Sequence, residues 1–180
     1  MLINIVTPCS RPENLKAIAE SINIPRENYR WLVVYDSDTF PTLEIPSEPE
    51  DYLCKNPESI SGNAQRNYAI DLINDGYVMF LDDDTIMHPD FWESVKDCEE
   101  DIVSWAQLTP QGQHRLSPGQ FWVCGIDSGS FMVKRSVIGD LRWELDRYDA
   151  DGIFAHYVAK QTTSQRRIEK YLSIYNHLRP

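Results

Sequence analysis

Four apolar residues, Val78-Met79-Phe80-Leu81, run directly into three carboxylates, Asp82-Asp83-Asp84. A short apolar run bounded this sharply reads as a strand buried on both faces, as in sheets covered by helices. The acids mark its C-terminal end, and in open α/β sheets that end is where ligands bind. Three adjacent carboxylates repel one another unless positive charge sits among them. A divalent cation with oxygen ligands, shared with a phosphate, supplies such charge. The feature therefore points to a metal-assisted site for a phosphorylated ligand. The plainer alternative is a solvated acidic turn in which Asp83 or Asp84 caps the next helix.

The rest of the chain supplies the other elements of such a sheet. Residues 2–6 form a short apolar strand. Ser10-Arg11-Pro12-Glu13 has the form of a capping box, with Ser10 as N-cap and Glu13 returning the bond. Leu15, Ile18, Ala19 and Ile22 follow at helical spacing, and Pro25 stops that helix. Trp31-Leu32-Val33-Val34-Tyr35 is a second buried strand, ending at Asp36. Such strand–helix–strand units prefer parallel, right-handed connections. Residues 37–60, rich in Pro, Glu, Ser and Asp, read as a surface excursion with a short strand near Tyr52-Leu53-Cys54. A helix starts near Gly62, with Ala64, Tyr68, Ala69, Leu72 and Ile73 on one face and Gly76 as its C-terminal cap. Pro89 opens another helix carrying Phe91, Trp92 and Val95, and residues 102–106 form a further strand. This alternation is the pattern of a doubly wound α/β sheet.

Beyond Thr109 the regularity breaks. Residues 110–119 read as a loop and 121–133 as an aromatic, Gly-punctuated stretch. A helix over 151–160 turns Ile153, Phe154, Tyr157 and Val158 inward, and 168–175 form a last strand. No repeat, low-complexity tract or second domain is visible, so one domain over 1–180 is expected.

Composition narrows the partners. The chain has 180 residues, 42% hydrophobic and 25% charged, enough for one full core and too apolar for disorder. A formal net charge of -11 leaves no broad basic surface, which argues against nucleic acid or an anionic membrane. A small anionic ligand needs only a local cluster of Arg, amide N–H groups and a metal. Cys9, Cys54, Cys98 and Cys124 form no C-x-x-C pair and read as reduced thiols of a cytoplasmic protein. No run approaches the ~20 apolar residues of a membrane span.

Other candidate groups fall at the same sheet edge. The stretch Gly62-Asn63-Ala64-Gln65-Arg66-Asn67 opens a helix whose N–H groups suit a phosphate, with Arg66 adding fixed charge. Asp36 ends the second strand, where a carboxylate can accept a nucleobase N–H; the alternative is a plain turn. Arg11, after the first strand, reaches a base or phosphate, or only pairs with a nearby Asp. Asp149 and Asp151 precede a helix and serve either as caps or as a general base. His177 is a metal or phosphate contact or an exposed polar residue, and Trp122 is core or a platform for a sugar ring.

Five blocks together resemble a known family. Thr7-Pro8 with Arg11-Pro12, Trp31-Leu32-Val33-Val34-Tyr35-Asp36, Gln65-Arg66-Asn67, Phe80-Leu81-Asp82-Asp83-Asp84, and Ile126-Asp127 with Phe131 look like the GT-A glycosyltransferases. Order and spacing are nearest the β-1,3-glucuronyltransferases and, more loosely, the family 2 inverting transferases. The resemblance covers residues 2 to about 160 and implies a GT-A (Rossmann-like) α/β fold, a mostly parallel sheet with helices on both faces. It implies a nucleotide-sugar donor, usually UDP-linked, Mn²⁺ or Mg²⁺ under the diphosphate, and inverting transfer to a glycan or other hydroxyl acceptor. Residues 1–109 would form the nucleotide-binding half and 110–180 the acceptor-binding half.

By that resemblance Asp84 binds the metal, Asp83 the ribose and Asp36 the uracil, with Asp82, Thr7, Pro8, Arg11 and Arg66 completing the nucleotide site. Asp127 lies beside donor sugar or acceptor. Asp151 aligns with the catalytic carboxylate, supported by Phe154 three positions on. His177, followed by Leu178-Arg179-Pro180, resembles the late His that reaches diphosphate and metal. The chain departs from the glucuronyltransferases in carrying no membrane anchor or stem, in a shorter segment before Gly62, and in Asp rather than Glu at the base. Glucuronic acid specificity is therefore not implied. Competing readings are a non-catalytic nucleotide- or sugar-binding GT-A module and a HAD-type phosphatase. The latter places its D-x-D on the first strand, whereas here a strand–helix–strand unit precedes it.

Overall fold

The computed structural model describes residues 1–36, 49–54 and 59–179. Most of the excursion expected over 37–60 lies outside the described residues. The strands are β1 (Ile3–Cys9), β2 (Tyr29–Tyr35), β3 (Glu50–Leu53), β4 (Tyr77–Phe80), β5 (Ile86–Met87), β6 (Ile102–Leu108), β7 (His114–Leu116), β8 (Phe131–Lys134) and β9 (Gln165–Ile174). The helices are α1 (Leu15–Ser21), α2 (Asn63–Leu72), α3 (Phe91–Val95), α4 (Arg135–Ile138) and α5 (Ala150–Lys160). Among the described residues one sheet runs β3-β2-β1-β4-β8-β6-β9-β5, with β7 paired to β6 beside that path.

Strands β3, β2, β1 and β4 are mutually parallel. From β1 the chain passes first to β2 on one side and later to β4 on the other. This reversal of winding direction opens a crevice at the carboxyl ends of β1 and β4. Beyond β4 the pairing changes: β8 inserts antiparallel between β4 and β6, and β9 returns parallel to β6.

The period-2 alternation of the strands builds two cores. Ile3, Ile5, Trp31, Val33 and Met79 face α1 and α3, packing on Leu15, Ile18, Phe91 and Val95. Val6, Leu32, Val34, Val78 and Phe80 face α2 and α5, packing on Ala69, Ile70, Phe154 and Val158. Trp143 closes the second core, stacked on Phe154 at 4.8 Å and edge-on to Phe80 at 5.0 Å. Helices thus cover both faces, as the alternation implied. No described helix is long and apolar enough to cross a membrane.

Several local expectations are corrected. Ser10 caps no helix: Pro12–Asn14 is one 3₁₀ turn without a side-chain cap, and Ser10 donates to Asp83 instead. A carboxylate is a stronger acceptor than a neutral capping partner. Helix α1 already ends at Ser21. The buried face of α2 begins with polar residues, Asn63, Gln65 and Arg66, while Tyr68 is exposed. Gly76 lies beyond the cap of α2, in the turn entering β4, with φ +77°. A Cβ there would stand 2.8 Å from the Leu2 carbonyl oxygen. In α5 Ala155 is inward and Tyr157 outward. The loop over 110–119 contains β7.

Candidate active site

The crevice is a cavity of about 710 Å³. Its walls include Pro8 and Arg11 from the end of β1, Asp36 from the end of β2, and Asp82, Asp83 and Asp84 from the end of β4. Arg66 enters from the first turn of α2, Asp127 from the segment before β8, and Asp151 from the first turn of α5. The acids are there because parallel strands end together, and no core position tolerates them.

Each acid at the end of β4 has its own arginine. Asp83 is nearly fully buried. One of its oxygens accepts the Ser10 and Arg11 backbone N–H groups at 2.7 and 2.8 Å and the Ser10 hydroxyl at 3.1 Å. The other accepts the Arg11 Nε at 2.9 Å and its Nη2. Asp83 thus ties the loop after β1 to the loop after β4, and its lone pairs are committed to that tie. Asp82 pairs with Arg66 and accepts the Ser128 hydroxyl at 3.0 Å. The Arg66 guanidinium lies 4.7 Å over the Trp143 ring and donates to the Ser61 carbonyl at 2.5 Å. It is buried, so it reaches a ligand through its field, by way of Asp82, more than by contact.

Asp84 differs from both. Its Oδ2 accepts Arg11 Nη2 at 2.9 Å and Arg179 Nε at 2.8 Å, while among the described residues Oδ1 accepts only the Thr85 hydroxyl, at 3.4 Å. Burial, then the charge of Asp82, pushes the Asp84 carboxyl above its usual range. Two guanidinium groups on one oxygen act as stand-in cations. Among the described residues no three His, Cys, Asp or Glu side chains converge as a metal cluster. A hard cation would therefore take Asp84 from the protein and most of its shell from phosphate oxygens and water, a division typical of Mg²⁺-like ions. On these grounds the residues fit such an ion.

On the opposite wall, Asp127 accepts Gly129 N–H at 2.9 Å and Gln107 Nε2 at 3.1 Å, and pairs with Arg115 at 3.2 Å. Burial raises its carboxyl, with Arg115 opposing. Among the described residues no arginine forms an ion pair with Asp151; its Oδ1 accepts the N–H of Gly152 at 2.7 Å, and Arg66 acts on it only through its more distant charge. Burial, then the nearby Asp127 charge, pushes it up to about 6. Asp149 instead forms a two-pronged pair with Arg147 at 2.8 and 2.7 Å, which lowers its carboxyl. Of the two acids at the N-terminus of α5, Asp151 is the one suited to accept a proton near neutrality.

Three expected site residues stand elsewhere. Thr7 is fully buried, its hydroxyl accepting the Trp31 indole N–H at 2.9 Å. As an odd residue of β1 it points into the sheet's other face, away from the nucleotide position assigned to it. His177 is exposed and does not line the cavity; Arg179, two residues on, does. Trp122 is 54% exposed and borders a separate shallow groove with Ile153, His156 and Tyr157, beside α5 rather than inside the cavity. Sequence reasoning missed Arg115 and Arg179. Arg115 lies in the three-residue β7 and Arg179 in the turn after β9, stretches too short for a periodicity to signal which way a side chain points.

Neither a protein-family model nor a curated protein sequence matches this chain. Solved structures do. TarS 1–349 from S. aureus in complex with UDP-GlcNAc aligns with a TM-score of 0.75 at 14% identity, over 97% of this chain and 58% of that one. The mannosyltransferase PcManGT from Pyrobaculum calidifontis, in complex with GDP-Man and Mn²⁺, aligns with a TM-score of 0.69 at 16% identity, over 97% and 56%. A mycobacterial protein aligns with a TM-score of 0.66 at 12% identity, over 94% and 67%. The likeness is one of fold, and the fold is GT-A. The chain spans less than two thirds of the length of TarS 1–349 and of the mannosyltransferase.

Proposed function

We propose that this chain is a metal-assisted, inverting glycosyltransferase that moves a sugar from a nucleotide diphosphate, UDP-linked, to an acceptor hydroxyl. One observation carries the reading. A single cavity sets Asp151, a carboxyl near 6 that forms no ion pair among the described residues, across from the arginine-lined aspartates at the ends of parallel strands. The fold neighbours are consistent with it, one holding UDP-GlcNAc and another GDP-Man with Mn²⁺.

In this reading residues 1–109 form the nucleotide-binding half and 110–180 the acceptor-binding half. Asp36 accepts an N–H of the base, and Pro8 lies beside it on the nucleotide wall. Arg11 and Arg179 face the diphosphate. Asp82 and Asp83 hold the loops that shape the ribose and diphosphate position. Asp84 would hold Mn²⁺ or Mg²⁺, which when bound neutralises charge on the departing diphosphate. Asp127, fixed by Gln107 and Arg115, borders the donor sugar. Asp151 takes the proton from the acceptor hydroxyl. The acceptor oxygen forms a bond to the anomeric carbon from the face opposite the diphosphate, which leaves with the electron pair of the bond it loses. Trp122 lies outside the cavity, in the groove beside α5 that Gly152, the neighbour of Asp151, also lines, where an extended glycan acceptor would run.

The test is release of nucleoside diphosphate from UDP- and GDP-sugars with Mn²⁺ and a panel of hydroxyl acceptors. Turnover that needs both metal and acceptor is expected. Tight nucleotide binding without turnover of any donor would favour a non-catalytic binding module instead. Asp84→Ala should abolish metal-dependent nucleotide binding, read by thermal stabilisation.

A further inference from the structure

The turn after β9 carries a cation onto Asp84. Tyr175 N–H donates to the Leu108 carbonyl at 3.0 Å, Leu178 N–H donates to the Asp84 carbonyl at 3.0 Å, and Leu178 packs against the core that α1 and α3 cover. The main chain of this turn is therefore held by its own bonds. The Arg179 side chain is not. It is 52% exposed, whereas the Asp84 carboxylate it meets is 4% exposed. Arg11, the other guanidinium on the same oxygen, is also tied to Asp83 by both Nε and Nη2. Of the two, only Arg179 can swing away without breaking the link between the loops after β1 and β4.

We propose that Arg179 is a resident counter-cation at Asp84 that a divalent ion must displace, and that a diphosphate makes the exchange favourable by giving the released guanidinium a new partner. This rests on the reading of Asp84 as the metal-holding carboxylate. A divalent ion alone must compete with Arg179 for Asp84 and leaves the guanidinium to water. An ion arriving with a diphosphate offers it phosphate oxygens, the geometry guanidinium favours. Metal and nucleotide then bind with positive coupling, and by linkage the coupling is reciprocal. Asp84 would be screened from stray divalent ions until the donor arrives.

The experiment is a Mn²⁺ titration followed by electron paramagnetic resonance, with and without UDP or GDP, on the wild-type chain, Arg179→Gln and Arg179→Lys. Circular dichroism melts check that folding is unaffected. Arg179→Gln should bind free Mn²⁺ about five- to tenfold more tightly than wild type, the scale of one half-exposed charge-assisted hydrogen bond. The factor by which the nucleotide improves Mn²⁺ affinity should shrink in the same variant, with Arg179→Lys in between. Equal or weaker free Mn²⁺ binding by Arg179→Gln overturns the counter-cation while leaving the proposed function standing. Absence of Mn²⁺ binding in every protein, with either nucleotide, overturns both.

Discussion

The aspartates that end β4 and the aspartate that opens α5 face one cavity from opposite walls, yet their surroundings differ. At the β4 end each carboxylate meets a guanidinium: Asp83 meets Arg11, Asp82 meets Arg66, and Asp84 meets Arg11 and Arg179. Across the cavity Asp151 has burial, a negative neighbour in Asp127, one backbone N–H and only the more distant charge of Arg66. The first wall is matched to an anion and its cation. The second holds a group whose charge changes within the physiological range. Two kinds of acid chemistry coexist because an ion pair favours the charged form while burial disfavours it.

The contrast is broken most severely at Asp151. Asp151→Asn should cut transfer by about 10²–10⁴-fold, the usual contribution of a general base, while leaving nucleotide binding intact. Full turnover in that variant would dissolve the distinction between the walls. In the wild type, kcat/KM should fall tenfold per pH unit below about 6, because only the ionised carboxylate accepts the proton.

The same residue sharpens the comparison through stability. The folded value, near 6, lies above the ordinary 3.8. Asp151 therefore costs nothing below the ordinary value, where folded and unfolded chains are both protonated. The cost grows as pH rises from about 4 to 6 and is complete above that. At 1.36 kcal/mol per pH unit it amounts to about 3 kcal/mol. Urea denaturation should find Asp151→Asn more stable than wild type at pH 8, by up to that amount, and equal to it near pH 4. No difference at pH 8 would mean the carboxylate is not strained.

On the arginine-paired wall the sign reverses. Arg66→Met leaves Asp82 without its partner and should destabilise the chain by about 3 kcal/mol in the same assay, the lower end for breaking a buried pair because Asp82 keeps some solvent. The smallest effects concern residues outside the cavity. Thr7→Val should cost about 1–2 kcal/mol by stranding the Trp31 N–H, with nucleotide affinity unchanged. His177→Ala should leave Mn²⁺ and nucleotide affinity as they were; a loss in either variant would return that residue to the site.

The strands and their acid-bearing ends were legible because a buried parallel strand can carry no carboxylate, so Asp36 and Asp82 could stand only past the last apolar residue. Arg11 and Arg66 were legible as charges beside those ends, but not as partners of particular aspartates. Ser10 was misread because its capping pattern is local, whereas the acceptor that claims it, Asp83, lies 73 residues away in sequence. Thr7 shows the same limit: alternation puts it on the face of Ile3 and Ile5, but the Trp31 indole that claims its hydroxyl comes from the neighbouring strand, 24 residues away in sequence.

By itself the sequence determined that this chain alternates strand and helix, that its acids cluster where strands stop, and that Asp151 begins a helix. Hydrophobic period and strand length are local quantities, written residue by residue. Only the tertiary structure decided that β8 inserts antiparallel beside β4, that Arg115 and Arg179 reach the cavity, and that Asp151 stands beside Asp127 with the Arg66 charge acting only from a distance. Those outcomes depend on burial and on charges brought together from distant segments, and an electrostatic environment exists only once the chain has closed around it.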